Sequence, residues 1–590
     1  MKVLISGNSD ANITIPSPVK PSALMVNTSA DVKLTGEIGG TAQVSKAGSG
    51  TLVLDGNNTY TGSTVVWDGI LEIASIGNAG AASSIGAAPA WLWNGGTVRY
   101  TGNTAKTDRE LTILRPSTLD IANEVTLTYN GSISGDGDLI KTGAGTLSVP
   151  LGQMNTTGDL YVKGGKVSIQ GKDALGTNPH IQGTLHLEGG RFEVKGGDKS
   201  AEGIVSMPIV VEGDETSYLH IDQRNFVKGD VSGDGNLVIE VEYLREVYQG
   251  NWRNFVGNVT AKQTGTEGNQ FYLDNSKYGG LPNCRLDLQG KLEMRSYSNS
   301  KTYSIGALTG SSTTTLACCF LKTDGGSVTW RVGGLGTDET FKGKITNGIE
   351  HSSRIGLTNI VKDGEGYWRL TGAQKYRGTT RIVAGTLIQN GTHSQDKDYT
   401  GTYYTPGQYT VSDGATLAGK GSTMAPVVAV NGGTIAPGDL GIGTLTIKNN
   451  VTLQAGAVLE IEVDRAAKTN DKLSVSNTFK TAGILSLKLV GGEYADGDEF
   501  TILSAKTYSG EFGAIEPAVP AEGLEWDTST LYTDGKLRVR AATGTGIGDI
   551  NAAGKNGVYY DLNGRPVTTP QSSGIYIRKQ GNRSEKVTVK

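Results

Sequence analysis

Cysteine is almost missing: Cys284, Cys318 and Cys319 are the only three in 590 residues. A disulfide framework is therefore excluded as the source of the fold. Adjacent Cys318 and Cys319 are poorly placed to bridge each other. A bridge from Cys284 to one of them stays open, beside the reading of all three as small buried hydrophobes on strands. Their spacing fits no zinc site. No apolar run reaches the roughly 18 residues of a membrane-spanning helix, so no span of that type is expected. The opening Met1-Lys2-Val3-Leu4-Ile5-Ser6-Gly7-Asn8 lacks the continuous apolar stretch of a signal peptide; an exported form is expected to be a processed or truncated piece of something longer. Neither sign of charge dominates, with 54 basic against 58 acidic residues and a net charge of -4. Without a Lys/Arg stripe, nucleic acid is excluded as a partner. Hydrophobic residues at 36% and charged residues at 19% are both low for a compact enzyme.

Glycine is abundant: 86 residues against 16 prolines, about twice the usual share. No period of three accompanies it, which excludes a collagen helix. Frequent Leu, Ile, Val and Thr with little net charge exclude disorder by composition. Short apolar alternations between glycines point to strands joined by tight turns. A single globular core stops growing near about 250–300 residues, so the chain is either several domains or one elongated solenoid.

A repeat decides between these. Lys46-Ala-Gly-Ser-Gly50-Thr51-Leu52-Val53-Leu54 has copies at Lys141-Thr-Gly-Ala-Gly145-Thr146-Leu147-Ser148-Val149 and at Lys362-Asp-Gly-Glu-Gly366-Tyr367-Trp368-Arg369-Leu370. The first continues through Asn58, Thr59, Tyr60, Gly62 and Thr64-Val65-Val66 to Gly69 and Leu71-Glu72-Ile73; the third runs through Tyr376, Gly378 and Thr380 to Gly385 and Leu387; the second keeps Gly158, Leu160, Val162, Gly164 and Val167-Ser168-Ile169. Thr-Leu-Val-Leu, Thr-Val-Val and Leu-Glu-Ile read as strands of three to five residues between Gly/Asn turns, too short for a sandwich. They fit coils of a parallel β-helix, each burying its apolar face only against the next, with strand edges to cap at the ends.

This unit resembles the autotransporter-associated β-strand repeat, of pattern K-x-G-x-G-T-L-x-L-x-G-x-N-T-Y-x-G-x-T-x-V-x-x-G-x-L. Similar spacer coils are Ser84-Ile85-Gly86 with Trp91 to Gly102, and Ala418 to Gly421 with Val430 to Gly438 and Gly443 to Ile447. The resemblance covers most of residues 1–540 and implies a passenger-type β-helix. Such repeats accompany adhesins, proteases and polysaccharide-degrading domains. No carboxy-terminal membrane barrel follows, so self-export through one is not expected. The end is of another kind: Tyr559-Tyr560-Asp561-Leu562-Asn563-Gly564-Arg565, Gly574-Ile575-Tyr576-Ile577 and Lys586-Val-Thr-Val-Lys590 read as three short strands with an Asn-Gly turn. They resemble the terminal strands of the sorting domain used in type IX secretion, though the segment is shorter. That resemblance implies contact with secretion machinery through residues 550–590 and a place outside the cell or on the outer-membrane surface.

The expected fold is all-β: a right-handed parallel β-helix with a small C-terminal β segment. The divisions are β-helix repeats over 1–200, atypical coils with longer loops over 201–340, repeats and passenger-like strands over 341–541, a linker over 542–549 and a sorting-like tail over 550–590. Val458 to Val463 and Leu485 to Leu489 alternate apolar with polar residues, giving one wet face.

Chemistry-bearing constellations are few. Asp230-Val-Ser232-Gly-Asp234-Gly235-Asn236 opens like a calcium loop, but the twelfth position is Val241 where that loop needs a carboxylate. The stretch also parallels Gly131 to Leu139, so it reads as a repeat turn, and no metal or cofactor is expected. His220, Asp222 and Arg224 alternate along one strand face, with Lys228 and Asp230 nearby; a solvated polar face explains them better than a lyase site. Aromatics at Tyr60, Trp67, Trp91, Trp93 and Trp368 fit stacking between coils. Tyr248 and Trp252 in the atypical region, with Arg224 and Lys228, are the ligand-binding candidates. The function expected is that of a non-catalytic extracellular scaffold, stalk or adhesin with a glycan or a host- or cell-surface ligand. The alternatives are a carbohydrate-active protein, either glycan-binding module or polysaccharide lyase, and the accessory end of a longer enzyme.

Overall fold

The computed structural model describes residues 1–150, 152–170, 182–195, 204–222, 225–243, 246–266, 270–319, 326–347, 349–350, 354–397, 401–542, 558–562, 564–567, 573–580 and 583–589. The three strands expected for the first repeat form at Thr51–Asp55, Thr64–Val66 and Ile70–Ile73. The third repeat forms Leu357–Lys362, Tyr367–Leu370, Thr380–Ile382 and Thr386–Gln389. Each strand pairs in parallel with its counterpart in the next coil, so the chain is a parallel β-helix. Its walls are sheets of 8 strands (Lys2–Gly7 to Met154–Thr156), 12 strands (Ala11–Thr14 to Asn254–Phe255), 27 strands (Ala105–Thr107 to Ala514–Glu516) and 13 strands (Ile204–Val205 to Leu503–Ser504).

Register explains why the short strands hold. Val32, Leu52, Leu71, Val98 and Leu119 are successive Cα partners on one wall, and all five are buried. Leu34, Leu54, Ile73, Tyr100 and Ile121, two residues on, are buried as well, because side chains of one parity share a face. A one-residue slip would turn both rows to solvent. One apolar cluster built this way runs from Leu24 to Val539. The atypical stretch takes part in it: Gly280–Gln289 and Lys301–Gly310, 10 residues each, are the two longest strands among the described residues. Val458–Asp464 buries Leu459, Ile461 and Val463 and leaves Glu460 and Glu462 partly exposed, the wet face its alternation predicts.

A three-stranded antiparallel sheet of Glu499–Thr501, Lys536–Ala541 and Leu524–Asp527 adds Phe500, Trp526, Leu537 and Val539 to the core. It covers apolar surface that the last coil would leave open. At the first coil, Met1, Val3, Ile5, Ile13 and Ile15 line a cavity of about 400 Å³. Residues 558–589 form a separate antiparallel sheet ordered Pro566–Val567, Val558–Tyr560, Gly574–Gln580, Arg583–Val589, the three expected strands plus a short fourth. All three cysteines are free and buried; Cys318 and Cys319 hold their Sγ atoms 3.4 Å apart without a bond.

Candidate functional site

The repeat motif is a set of clamps between coils. Lys46 is buried, and its Nζ donates to the carbonyls of Ala47, Gly48 and, in the next coil, Asp68 at 2.8, 2.5 and 3.1 Å. Lys141 does the same to Thr142, Gly143 and Gly164 at 2.5, 2.9 and 3.3 Å, and Lys362 to Asp363, Gly364 and Ala384 at 2.7, 2.7 and 3.2 Å. All three ammonium donors are used in each case. Burial lowers the pKa of Lys141 and of Lys362 to about 8, so both stay largely protonated at neutral pH. The glycines belong to this geometry: Gly385 sits at φ +58, and a Cβ there would stand 2.3 Å from the Gly364 carbonyl oxygen. The motif tyrosine hydroxyl bonds the threonine four residues on, Tyr60 to Thr64 at 2.8 Å and Tyr376 to Thr380 at 2.6 Å. Asn58 accepts from the Ile38 amide at 2.8 Å and donates to the Ser84 carbonyl at 2.7 Å. These residues hold the stack together.

The sequence-derived binding candidates separate. Tyr248 and Trp252 lie in the core at 0% and 1% exposure, packed edge to face with ring centroids 6.1 Å apart. They are wall and corner residues of their coils, so neither presents a ring face for a sugar to stack on. Arg224 lies outside the described residues, and Lys228 is exposed. Tyr60, Trp91, Trp93 and Trp368 are buried, as stacking between coils requires, whereas Trp67 is 48% exposed. Asp230 closes a turn between coils by accepting from the Asn251 amide at 2.9 Å, in line with a repeat turn.

His220 and Asp222 do meet. His220 is buried, and its Nε2 lies 3.2 Å from Asp222 Oδ1 and 3.3 Å from Glu242 Oε2. Its Nδ1 stands 3.8 Å from Glu240 Oε2. His220 is the Cα partner of Glu193 in one neighbouring coil and of Glu240 in the other. Glu193, also buried, accepts from Ser168 at 2.6 Å and pairs with Lys166 at 3.1 Å, while Arg191 reaches Glu240. Glu246 lies in the core beside this group; burial raises its pKa far above the carboxylate range, and the charges of Asp222 and Glu242 add to that.

Sequence reasoning missed a second feature. Two antiparallel hairpins, Ile349–Glu350 with Arg354–Ile355 and Asp396–Lys397 with Tyr403–Tyr404, interrupt the wall-to-wall turns of nearby coils. Asp396 accepts from Asn347 Nδ2 at 3.0 Å and from Arg377 Nε at 2.8 Å, which fastens the second hairpin to the coils below. The Arg377 guanidinium lies 3.7 Å from the Tyr404 ring centre. Tyr403 and Tyr404 remain 61% and 39% exposed. The signal available was length: 15 residues separate strand ends His393 and Tyr409 where the equivalent Lys375-to-Thr380 turn needs four.

Residues 44–73 and 360–388 match the family model described as Passenger-associated-transport-repeat, and these are the first and third repeats. The chain is similar to the adhesin BmaC autotransporter of Brucella suis biovar 1 (strain 1330), at 30% identity over 224 residues, 35% of this chain and 6% of that protein. It is also similar to an extracellular serine protease of Serratia marcescens, at 27% identity over 175 residues, 28% of this chain and 15% of that protein. The chain thus spans only a small part of the length of these relatives. Together the two matched repeats, their stacking and both relatives place the chain in the extracellular space or at the outer-membrane surface.

Proposed function

We propose that the chain is a non-catalytic adhesin-type rod that carries ligand-binding features on a rigid stack. The observation that carries this reading is the continuous apolar cluster from Leu24 to Val539, held in register across the coils. Such a stack transmits orientation over its whole length, and loops set on a rigid scaffold are where binding concentrates. The hairpin with Tyr403 and Tyr404 is the ligand-facing element in this reading: its aromatic rings are exposed, and its base is anchored by Arg377 and Asp396. The ligand class is a host- or cell-surface molecule, glycan included. The tail over 550–590 serves export in the same reading, supported by its separate sheet and its likeness to sorting-domain strands.

Beads coated with the chain, applied to host-cell monolayers and to immobilised polysaccharides, test it. Adhesion is expected, and Tyr403→Ser with Tyr404→Ser is expected to lower it at least tenfold. Adhesion unchanged in that variant would remove the hairpin from the site. New ultraviolet absorbance from unsaturated uronate products would overturn the non-catalytic reading and direct attention to Arg224 and Lys228. Loss of a reporter's surface display on deletion of 550–590 would support the export role; unchanged display would refute it.

A further inference from the structure

We propose that His220, Asp222 and Glu242 form a divalent transition-metal site, with zinc as the probe ion, that staples two successive coils together. One ligand atom from each lies within 4.8 Å of the other two. The imidazole Nε2 is 3.2 Å from one carboxylate oxygen and 3.3 Å from the other. Two ligands held about 2.0–2.2 Å from one ion, at angles between octahedral and tetrahedral, stand about 3.0–3.4 Å apart. The observed spacings fall inside that window, and one imidazole with two carboxylates is a donor set that zinc accepts. His220 and Asp222 come from one coil and Glu242 from the next, so the ion would bridge them.

Among the described residues the carboxylates Glu193, Asp222, Glu240 and Glu242 stand here beside Lys166, Arg191, Lys195 and Lys262, and His220 Nδ1 is buried without a hydrogen-bond partner. Glu246 supplies an independent observation: it is completely buried, its Oε2 accepts from the Tyr248 hydroxyl at 3.4 Å, and its Oε1 has no hydrogen-bond partner. Behind the imidazole, Nδ1 faces Glu240 at 3.8 Å. A small approach would make that the carboxylate–histidine contact that orients metal-bound imidazoles.

The test is zinc uptake by the full chain at micromolar free Zn²⁺, measured by equilibrium dialysis with elemental analysis. Glu242→Gln is the decisive variant, because that side chain is 54% exposed and its loss leaves the core intact. His220→Gln tests the nitrogen ligand. His186→Gln controls for the other metal-capable group, His186 with Glu188 and Glu212. The expected result is one zinc in the parent chain that Glu242→Gln and His220→Gln bind at least tenfold more weakly, with His186→Gln retaining it. No zinc uptake by the parent chain, or equal uptake by the parent and Glu242→Gln, would overturn the proposal.

Discussion

Replacing Lys141 by methionine removes one clamp and little else. Methionine keeps the apolar stem in its channel but leaves the carbonyls of Thr142, Gly143 and Gly164 without their donor. Hydrogen bonds from a charged donor contribute about 1.5–3 kcal/mol each, so three contribute roughly 4–9 kcal/mol. Against this stands the burial of the ammonium: its pKa falls from 10.5 to about 8, a cost of about 3 kcal/mol that methionine escapes. The balance is a net loss of about 3 kcal/mol, the middle of a range of about 1–6. A solenoid contacts itself only through neighbouring coils, so the loss should be local. Amide hydrogen exchange is the suitable assay, since it reads local opening rather than one global transition. Amides over 142–147 and 163–168 are expected to exchange roughly a hundredfold faster, by the rule of about 1.4 kcal/mol per factor of ten, while distant coils stay unchanged. The control is Lys33→Met: Lys33 pairs with Asp55 at 2.7 Å with both side chains nearly half exposed, and its loss should cost less than about 0.5 kcal/mol. Lys141→Met matching this control, or losing protection evenly along the chain, would refute the clamp.

Three further predictions concern the same stack. His393 is buried, with Nε2 donating to the Tyr376 carbonyl and Nδ1 accepting from the Tyr409 hydroxyl, both at 2.9 Å; burial lowers its pKa from 6.5 to about 4. Between those values the unfolded chain binds a proton that the folded chain refuses, so stability is lost as pH falls from about 6.5 through 4, by at most about 3 kcal/mol. Melts of the parent and His393→Gln across that range check this; parallel pH curves would contradict it. Gly385→Ala and Gly414→Ala share a positive φ, +58 and +70, but only Gly385 has backbone oxygens within 2.5 Å of the added Cβ, and Gly414 has open space. Gly414→Ala should cost about 1–2 kcal/mol from φ alone, and Gly385→Ala clearly more, read as the difference in melting temperature. Arg109 is buried and donates to the carbonyls of Gly77, Ala81, Gly86 and Ala88. Arg109→Met should therefore release residues 75–89 at a cost of at least about 3 kcal/mol, seen as first cleavage there in limited proteolysis.

The fold was legible because the residues that build it are adjacent in sequence. Thr51 to Leu54 declares its inward parity by alternation, and Gly69 and Gly385 mark turns that only positive φ can make. The roles of Lys46, Lys141 and Lys362 were harder to read. Their recurrence was visible, but a lysine's usual place is the surface, and only the stacked turn shows three carbonyls converging on each. The binding candidates Tyr248 and Trp252 failed for a related reason. Irregular composition suggested loops, yet their neighbours supply a complete coil, and an aromatic residue on a wall faces inward or outward by one residue of register. Nothing in the sequence tells which before the coil length is known, and the same uncertainty concealed the anchored hairpin with Tyr403 and Tyr404.

In-register stacking also gives the outer face a rule that sequence alone cannot display. Residues some 20 to 27 positions apart become neighbours one strand spacing away, about 4.8 Å, and like charges at that distance destabilise. The chain meets this by alternating sign. Glu72, Arg99 and Asp120 are successive partners, and Arg99 bonds both acids, at 3.4 and 3.1 Å. Glu240 and Lys262 face one another in the same way. Alternation of this kind cancels charge locally along such rows.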